Sequence, residues 1–321
     1  MTTSAFRNAL VVMQAIGGST NALIHLTAAA GRLGHRIDLD EVDRLGREVP
    51  VLVDLKPSGR HYMEHFHWAG GVPRLMHELG DLLDLDAATV EGSSLRARLE
   101  GVDVVTAQDV IRPRANPIHA GGSMAVLRGN LAPRGAILKQ SAATPKLLQH
   151  EGRALVFDSL EDLATRIDSP DLDVHPEDVL VLRNAGPIGA PGMPEAGYLP
   201  IPKKLAIQGV KDMVRLSDAR MSGTAFGTIV LHMTPEAALG GPLALVRNGD
   251  RIRLDTKGRR VDLLVDEAEL AARRDTFMRD GSLGAAPVPD RGYAALFHRS
   301  VLQADEGCDF DFLVPGSRQA S

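Results

Sequence analysis

The sequence has 321 residues, of which 44% are hydrophobic and 24% charged, with a formal net charge of −5. This composition is typical of a globular protein with a large core, and the length favours two domains. The mild charge and the low aromatic content of 4% argue against a nucleic-acid partner. Because no stretch is apolar enough for a membrane span and no secretory signal is present, we expect a cytoplasmic protein without a membrane partner.

The chain contains a single cysteine, Cys308. A disulfide within the chain is therefore impossible. A thiolate-held cluster or a structural zinc site needs several cysteines, so this chain alone cannot supply either one.

Helical periodicity dominates the first 110 residues. Ser19 or Thr20 is a candidate cap for the second helix, and Asp38 for the third. The run at 51–55 is predicted to be a strand. The predicted helices cover residues 5–16, 22–33, 39–47, 61–68 and 73–83.

Short β-type runs dominate the remainder of the chain, after a proposed linker at 112–117. The turn at 256–258 is a hairpin signal between the last two runs. The predicted strands cover residues 124–127, 136–138, 154–157, 179–182, 213–216, 227–232, 251–254 and 261–265. We therefore expect an α/β protein, with a partial helix-rich domain at 1–110 and a β-rich, barrel-like domain at 111–321.

A loop dense in glycine and proline follows the predicted strand at 179–182 and runs from Asn184 to Glu195. Glycine and proline fix the backbone in close-packed conformations, so we expect a rigid loop. Glu195 at its end is a candidate metal ligand. The alternative is a purely structural loop that ends in a solvated glutamate.

Small residues surround Ser222 in a second loop, which follows the predicted strand at 213–216. The hydroxyl of Ser222 and the amides of Gly223 and Thr224 are candidates for facing a ligand. A serine hydroxyl becomes a base only when a metal or a nearby cation stabilises its alkoxide. The alternative is that Ser222 only forms the turn.

The segment from His61 to His65 fits the H-x-x-E-H pattern of a zinc peptidase, with Glu64 as the acid. His61 and His65 would share one face of a helix. No distant carboxylate motif completes the pattern, and the alternative is a polar helix face.

Several motifs together resemble the dihydroxy-acid dehydratase/phosphogluconate dehydratase family, and Ser217–Thr224 is most similar to its sugar-acid branch, which acts on arabinonate, xylonate and related acids. Because the motifs cover nearly the whole chain in family order, the resemblance is specific. The matching segments are 17–21, 54–59, 62–64, 129–133, 186–195, 217–224, 235–237 and 240–245.

The resemblance implies a hydro-lyase that removes water from a 2,3-dihydroxy carboxylate or sugar acid to give a 2-keto acid. It implies Ser222 as the base, Thr224 and Gly223 as substrate-binding residues, and Glu195 as a ligand of Mg²⁺. It also implies an iron–sulfur cluster. The domain at 111–321 would be the β-rich swivelling domain of this family.

The family's cluster cysteines and further magnesium ligands precede the motif at 17–21, and this chain contains none of them. We therefore expect exposed apolar surface, and either a homo-oligomer or a complementing amino-terminal half as partner. Three hypotheses stay open: a hydro-lyase completed by another segment, an inactive truncated remnant, and a zinc hydrolase that uses His61, Glu64 and His65.

Overall fold

The computed structural model describes residues 1–105, 107–191, 199–221, 226–280 and 287–316. Within these ranges the chain forms a helical half followed by a β-rich half. The helices are α1 (Thr3–Ile16), α2 (Thr20–Arg32), α3 (Leu39–Glu48), α4 (Met63–Trp68), α5 (Gly71–Leu79), α6 (Leu95–Leu99), α7 (Leu160–Arg166), α8 (Lys203–Ile207), α9 (Glu267–Asp280) and α10 (Gly292–Ser300). The strands are β1 (Met124–Leu127), β2 (Gly135–Lys139), β3 (Gln149–Phe157), β4 (Val179–Leu182), β5 (Arg215–Ser217), β6 (Ile229–Thr234), β7 (Arg251–Asp255) and β8 (Arg260–Leu263).

Side-chain caps set the starts of the first helices. Ser19 accepts a hydrogen bond from an amide of the first turn of α2, and Asp38 does the same for α3, which confirms both predicted caps. Two predictions were wrong. The fourth helix begins at Met63 rather than at residue 61, because His61 forms an isolated bridge with Leu55. The predicted strand at 51–55 makes only isolated bridges, because no neighbouring segment runs alongside it for several residues.

The eight strands form one sheet in the order β1-β2-β6-β5-β4-β3-β7-β8. Strands β3, β4, β5 and β6 are parallel neighbours, and the other pairs are antiparallel. The sheet nearly closes, because Arg128 after β1 exchanges backbone hydrogen bonds with the start of β8, from Arg128 N to Arg259 O (2.9 Å) and from Val261 N to Arg128 O (2.8 Å). The α/β class and the barrel-like sheet are thereby confirmed, as is the hairpin between β7 and β8. The division at residue 110/111 stays a prediction.

Successive side chains along each strand point to opposite faces of the sheet, and the two faces have different surroundings. The inner face is a buried aliphatic core that includes Leu138, Val181, Leu216 and Leu254. The outer face of β3 and β4 packs against α7 and α8, with Phe157 fully buried. The outer face of β1 and β2 instead belongs to the core of the helical half.

Close backbone approach joins the helical half to the barrel. Gln14 of α1 is fully buried, and its Oε1 accepts a hydrogen bond from Met124 N (2.9 Å). Gly46 of α3 lies against the backbone of Met124, where an added Cβ would come within 2.2 Å of the carbonyl oxygen. A side chain at position 46 would therefore push α3 off β1.

An apolar groove of about 670 Å³ runs between α1, α2 and α5. Its lining includes the partly buried side chains of Val12, Ile16, Leu26 and Met76. The exposed apolar surface that was expected for the helical half is therefore present. Within the described ranges, no helix combines the length and the apolar character that a bilayer crossing requires.

Candidate functional site at the carboxyl edge of the parallel strands

The two loops singled out in the sequence begin side by side. Strands β4 and β5 are parallel, with Leu182 paired to Ser217 at their last positions. The loop that leads to Glu195 and the loop that leads to Ser222 therefore leave the same edge of the sheet. In sheets of this kind, ligands bind at the carboxyl ends of parallel strands. Glu195 itself lies outside the described residues, as do Ser222, Gly223 and Thr224.

The described part of the loop after β4, residues 184–191, is folded tightly. Asn184 adopts a left-handed conformation (φ 58°), and Ala190 N donates to Gly186 O at 2.8 Å. An added Cβ on Gly186 would come within 2.5 Å of Glu236 Oε2, and one on Gly189 within 2.7 Å of the backbone of Asn184. Only glycine fits at these two positions, so the close packing expected of this loop is present in its first half.

Asp218 ties the loop after β4 to the loop after β5. Its side chain is buried, with 1% exposure. Oδ1 accepts a hydrogen bond from Ala185 N (3.0 Å), and Oδ2 accepts one from Ala237 N (2.9 Å). Burial, together with the nearby charge of Glu236, raises the pKa of this carboxyl to about 7. A single buried carboxyl thus links three segments at the sheet edge, four positions before Ser222.

Glu236, which follows β6, holds the same loop from the other side. Its carboxylate accepts hydrogen bonds from Ile188 N and Gly189 N, each at 3.0 Å to Oε2. Gln303, from the segment after α10, donates its side-chain amide to Oε1 and accepts a hydrogen bond from Glu236 N (2.9 Å). Burial raises the pKa of Glu236 above its usual range, although these hydrogen bonds oppose the shift.

Sequence reasoning assigned no role to Asp218 or Glu236, although both lie in segments that match the family. A partial signal was present, since Asp218 directly follows β5 and Glu236 follows β6 after a single proline. A carboxylate in such a setting is usually held by backbone amides or faces a ligand.

Other ionisable groups near this edge include Arg220, His232 and Cys308. Burial and the charge of Arg220 lower the pKa of His232 to about 3, so the imidazole is neutral at pH 7. Burial raises the pKa of the Cys308 thiol to about 12. A cluster ligand must be a thiolate, and the chain has one cysteine. The residues of this chain therefore do not fit an iron–sulfur cluster.

The H-x-x-E-H segment does not form a metal site in the described residues. His61 lies before α4 and approaches Asp109 (Nε2 to Oδ1, 3.3 Å), while His65 Nδ1 accepts a hydrogen bond from Tyr62 N. The described ranges contain no group of three histidine, cysteine, aspartate or glutamate side chains that could hold a metal ion. The zinc-hydrolase hypothesis has no support in this geometry.

The sequence comparisons agree with one another. The profile described as dihydroxy-acid/6-phosphogluconate dehydratase C-terminal matches residues 109–308, and the corresponding N-terminal profile matches residues 1–98. The L-arabonate dehydratase of Azospirillum brasilense is 51% identical over 324 residues, which is 100% of this chain and 55% of the relative.

More distant relatives match over a similar extent. The 6-deoxy-6-sulfo-D-gluconate dehydratase of Pseudomonas putida is 48% identical over 96% of this chain and 53% of its own length. The dihydroxy-acid dehydratase of Methanothrix thermoacetophila is 42% identical over 94% and 54%. The chain thus spans about half the length of these relatives. It belongs to the dihydroxy-acid/6-phosphogluconate dehydratase family.

Proposed function

We propose that this chain forms the carboxy-terminal part of a hydro-lyase that removes water from a 2,3-dihydroxy carboxylate to give a 2-keto acid. The observation that carries the proposal is the shared origin of the two loops at the ends of β4 and β5, where Asp218 and Glu236 bind both loops to the turn after β6. Membership of a dehydratase family supports the reaction type.

In this proposal Ser222, as the alkoxide, takes the proton from C2 of the substrate while the C3–O bond breaks. The departing hydroxide takes a proton from solvent and leaves as water, and Ser222 returns its proton to solvent. The resulting enol then tautomerises to the 2-keto acid. Thr224 and the amide of Gly223 bind the substrate beside Ser222. These roles rest on the family motif, and the geometry of the loop roots is compatible with all three.

Glu195 is proposed to contribute one carboxylate ligand to Mg²⁺. When bound, Mg²⁺ would supply the positive charge that makes the C2 proton acidic. The described residues hold no group of three metal-binding side chains, so the remaining magnesium ligands and all the cluster ligands would come from outside them. In this proposal the chain contributes the base, the substrate-binding turn and one acidic metal ligand, all at one edge of the sheet.

The substrate is proposed to be a sugar acid. Three relatives that are 48–51% identical over the matched region are named L-arabonate, L-arabinonate and 6-deoxy-6-sulfo-D-gluconate dehydratase, whereas the one from Methanothrix thermoacetophila named dihydroxy-acid dehydratase matches at 42%. We therefore choose L-arabonate as the first substrate to test.

A further family segment is proposed to complete the site, whether it belongs to a longer form of this protein or to a separate chain. The relatives are about twice as long as the matched region, and the groove between α1, α2 and α5 is apolar and open. The amino-terminal half of a family member is therefore the proposed occupant of this groove. A homo-oligomer is the second candidate.

The test is reconstitution. The chain is co-expressed with the amino-terminal half of the A. brasilense relative, and 2-keto acid is measured with L-arabonate and Mg²⁺. We expect turnover in the pair and none in either half alone. Ser222→Ala should lower turnover about 10²–10⁴-fold, while Thr276→Ala on α9 serves as the hydroxyl control and should leave it unchanged. A pair that assembles without forming 2-keto acid would favour the inactive-remnant hypothesis and contradict the proposal.

A further inference from the structure

Arg220, three residues after the end of β5, carries a charge without a counter-ion in the described ranges. Its side chain is partly buried, and Nε is enclosed there without a hydrogen-bond partner. Buried arginines elsewhere in the barrel are paired, since Arg215 binds Asp212 (Nη2 to Oδ1, 2.9 Å) and Arg273 binds Asp250. Arg220 is therefore an exception that calls for a physical explanation.

His232 of β6 is a second polar side chain whose buried nitrogen is unsatisfied. The residue is only 4% exposed, and Nε2 has no hydrogen-bond partner within the part of the chain that the structure describes. Because its pKa is lowered to about 3, the ring is neutral at pH 7 and can donate one N–H. Nearly all buried polar groups in proteins are paired, so this nitrogen is a candidate contact for a ligand.

A β-bulge sets the direction of the His232 side chain. Ile137 of β2 pairs with Leu231, and Gly135 pairs with Thr234, so two residues of β6 lie opposite a single residue of β2. His232 is one of the two, and it adopts a left-handed conformation with φ 55°. Glycine adopts this conformation at a lower cost. Bulges redirect side chains beside functional sites, and a strained histidine with an unsatisfied nitrogen favours such a role.

Arg220 and His232 lie together at the carboxyl end of the parallel strands. His232 N donates to Ala219 O at 3.1 Å, so the backbone next to Arg220 lies against β6. The charge of Arg220 also contributes to the lowered pKa of His232. Arg220 lies beyond Ser217, the last residue of β5, and His232 lies two residues before the end of β6. Both are thus at the edge where parallel sheets bind ligands.

An unpaired guanidinium beside an N–H donor is an arrangement that binds anions. A partly desolvated charge is unfavourable, and an anion beside it reduces the cost. A guanidinium matches a carboxylate in bidentate geometry. The nearby carboxyls of Asp218 and Glu236 accept hydrogen bonds from backbone amides, and neither forms an ion pair with Arg220. A carboxylate ligand would satisfy both the charge of Arg220 and the nitrogen of His232.

We propose that Arg220 and His232 together bind the carboxylate of the acid substrate. The guanidinium supplies the charge, and the imidazole N–H is an additional donor. The identity of the acid rests on the proposed function, whereas the placement of the two side chains does not. The inference adds two substrate-binding residues to those named above, one directly after Ala219 and one in the bulge of β6.

The binding of L-arabonate to the full chain, measured by calorimetry, tests the proposal. Arg220→Gln should weaken binding by at least about tenfold. Arg220→Lys should weaken it less, because it keeps the charge and loses the planar fork. His232→Phe should weaken it about three- to tenfold, as expected for one neutral hydrogen bond. Arg274→Gln, which removes an exposed arginine of α9, should bind as the wild type does.

The uncharged analogue L-arabinitol should not distinguish the wild type from Arg220→Gln. Unchanged affinity for L-arabonate in Arg220→Gln, or a wild-type chain that does not bind L-arabonate, would overturn the inference. Weaker assembly of Arg220→Gln with the amino-terminal half, at unchanged affinity for L-arabonate, would identify a carboxylate of the protein as the anion and would overturn it as well.

A second measurement uses the wild-type chain and so does not depend on how a variant folds. L-Arabonate should protect Arg220 from modification by phenylglyoxal, as measured by peptide mass spectrometry, and L-arabinitol should not. Modification of Arg274 should be the same in all samples. Equal modification of Arg220 with and without L-arabonate would overturn the inference.

The outcome is separable from that of the proposed function. A chain that binds L-arabonate through Arg220, yet forms no 2-keto acid with the amino-terminal half, would contradict the proposed reaction alone. In an active reconstituted enzyme, Arg220→Gln should raise KM more than it lowers kcat, because the carboxylate is bound before and during the reaction. The same KM in the wild type and Arg220→Gln would contradict the role of Arg220 alone.

Discussion

The strands of the barrel leave little unpaired edge, because β1 and β8 meet at Arg128 and both faces of the sheet are largely covered. The helical half differs, since its helices share a core with residues of β1 and β2, and α1, α2 and α5 leave a groove of about 670 Å³ open. Hydrophobic burial within the barrel is satisfied by the chain itself. The helical half leaves apolar side chains along an open groove, so the two halves should respond differently to the same change.

Matched leucine truncations should show the largest difference. Leu254→Ala empties a fully enclosed position inside the barrel and should lower the free energy of unfolding by about 2–5 kcal/mol. Leu26→Ala lies in the open groove and should cost about 1 kcal/mol or less in the isolated chain. Denaturant unfolding measures both.

The difference in stability loss between Leu254→Ala and Leu26→Ala should shrink when another protein surface covers the groove. In the complex with the amino-terminal half, Leu26→Ala should weaken assembly, because the same side chain then becomes buried. Equal losses of stability for the two variants in the isolated chain would show that the groove is not an open surface.

Gly186→Ala should disturb the sheet edge without reaching the helical half. The added methyl would lie 2.5 Å from Glu236 Oε2, so the loop or the glutamate must move, at a cost of about 1–3 kcal/mol. Hydrogen exchange should accelerate in residues 185–190 and stay unchanged in α1 and α2. Gly209→Ala is not a suitable control because its φ is positive, whereas Gly101→Ala meets no neighbour and has an ordinary φ.

Glu236→Gln should also accelerate hydrogen exchange in residues 185–190, but less than Gly186→Ala does. The glutamine retains the volume but replaces one acceptor oxygen with a donor, which would face the amides of Ile188 and Gly189. One buried backbone amide would lose its hydrogen-bond acceptor, which should cost about 1–3 kcal/mol of stability. Removal of the buried charge would offset part of this cost. Exchange of residues 185–190 reports the loss, and Glu267→Gln on exposed α9 is the charge control. Unchanged exchange would mean that Glu236 does not hold the loop.

The two halves should also differ in their response to pH. The carboxyl of Asp218 has a pKa raised from 3.8 to about 7, so the folded state binds an extra proton between these values. Stability at the sheet edge should therefore fall as the pH rises from about 4 to about 7. In the helical half, hydrogen bonds from Arg44 lower the pKa of Glu41, and those from Arg60 help to lower that of Asp54. Their contribution is present above pH 4 and is lost as the pH falls below it.

Local amide hydrogen-exchange rates, corrected for the intrinsic pH dependence of exchange, test the predicted direction of this pH effect. Residues 185–190 should become more protected between pH 7.5 and pH 5.5, and Asp218→Asn should abolish that change. The helical half should be unaffected in the same interval. Greater protection at the higher pH would contradict the raised pKa of Asp218.

Local patterns in the sequence predicted most of the elements. Strands β1 and β4 were predicted at their observed bounds, since each is a short apolar run between turn-forming residues. The short helices α6, α7 and α8 were not predicted, because five to seven residues are too few to show a helical period. The order of the strands and the near closure at Arg128 arise from contacts distant in sequence, which one sequence does not reveal.

The candidate site was predicted only in part. The two loops were recognised from their composition, and their roles came from resemblance to a family. The carboxyls that join them were missed because Asp218 and Glu236 act on backbone amides of residues 185–189, and such partners leave no mark in sequence spacing.

We propose above all that Glu195 and Ser222 face one ligand at the carboxyl edge of the barrel. Cross-linking tests it directly, with Glu195→Cys and Ser222→Cys combined in a Cys308→Ser background and treated with a short bismaleimide. The control pairs Glu195→Cys with Lys257→Cys, at the hairpin on the opposite edge of the sheet. We predict an intramolecular cross-link in the first pair and none in the control. Two thiols at 195 and 222 that each react with a monofunctional maleimide but never cross-link would contradict the account.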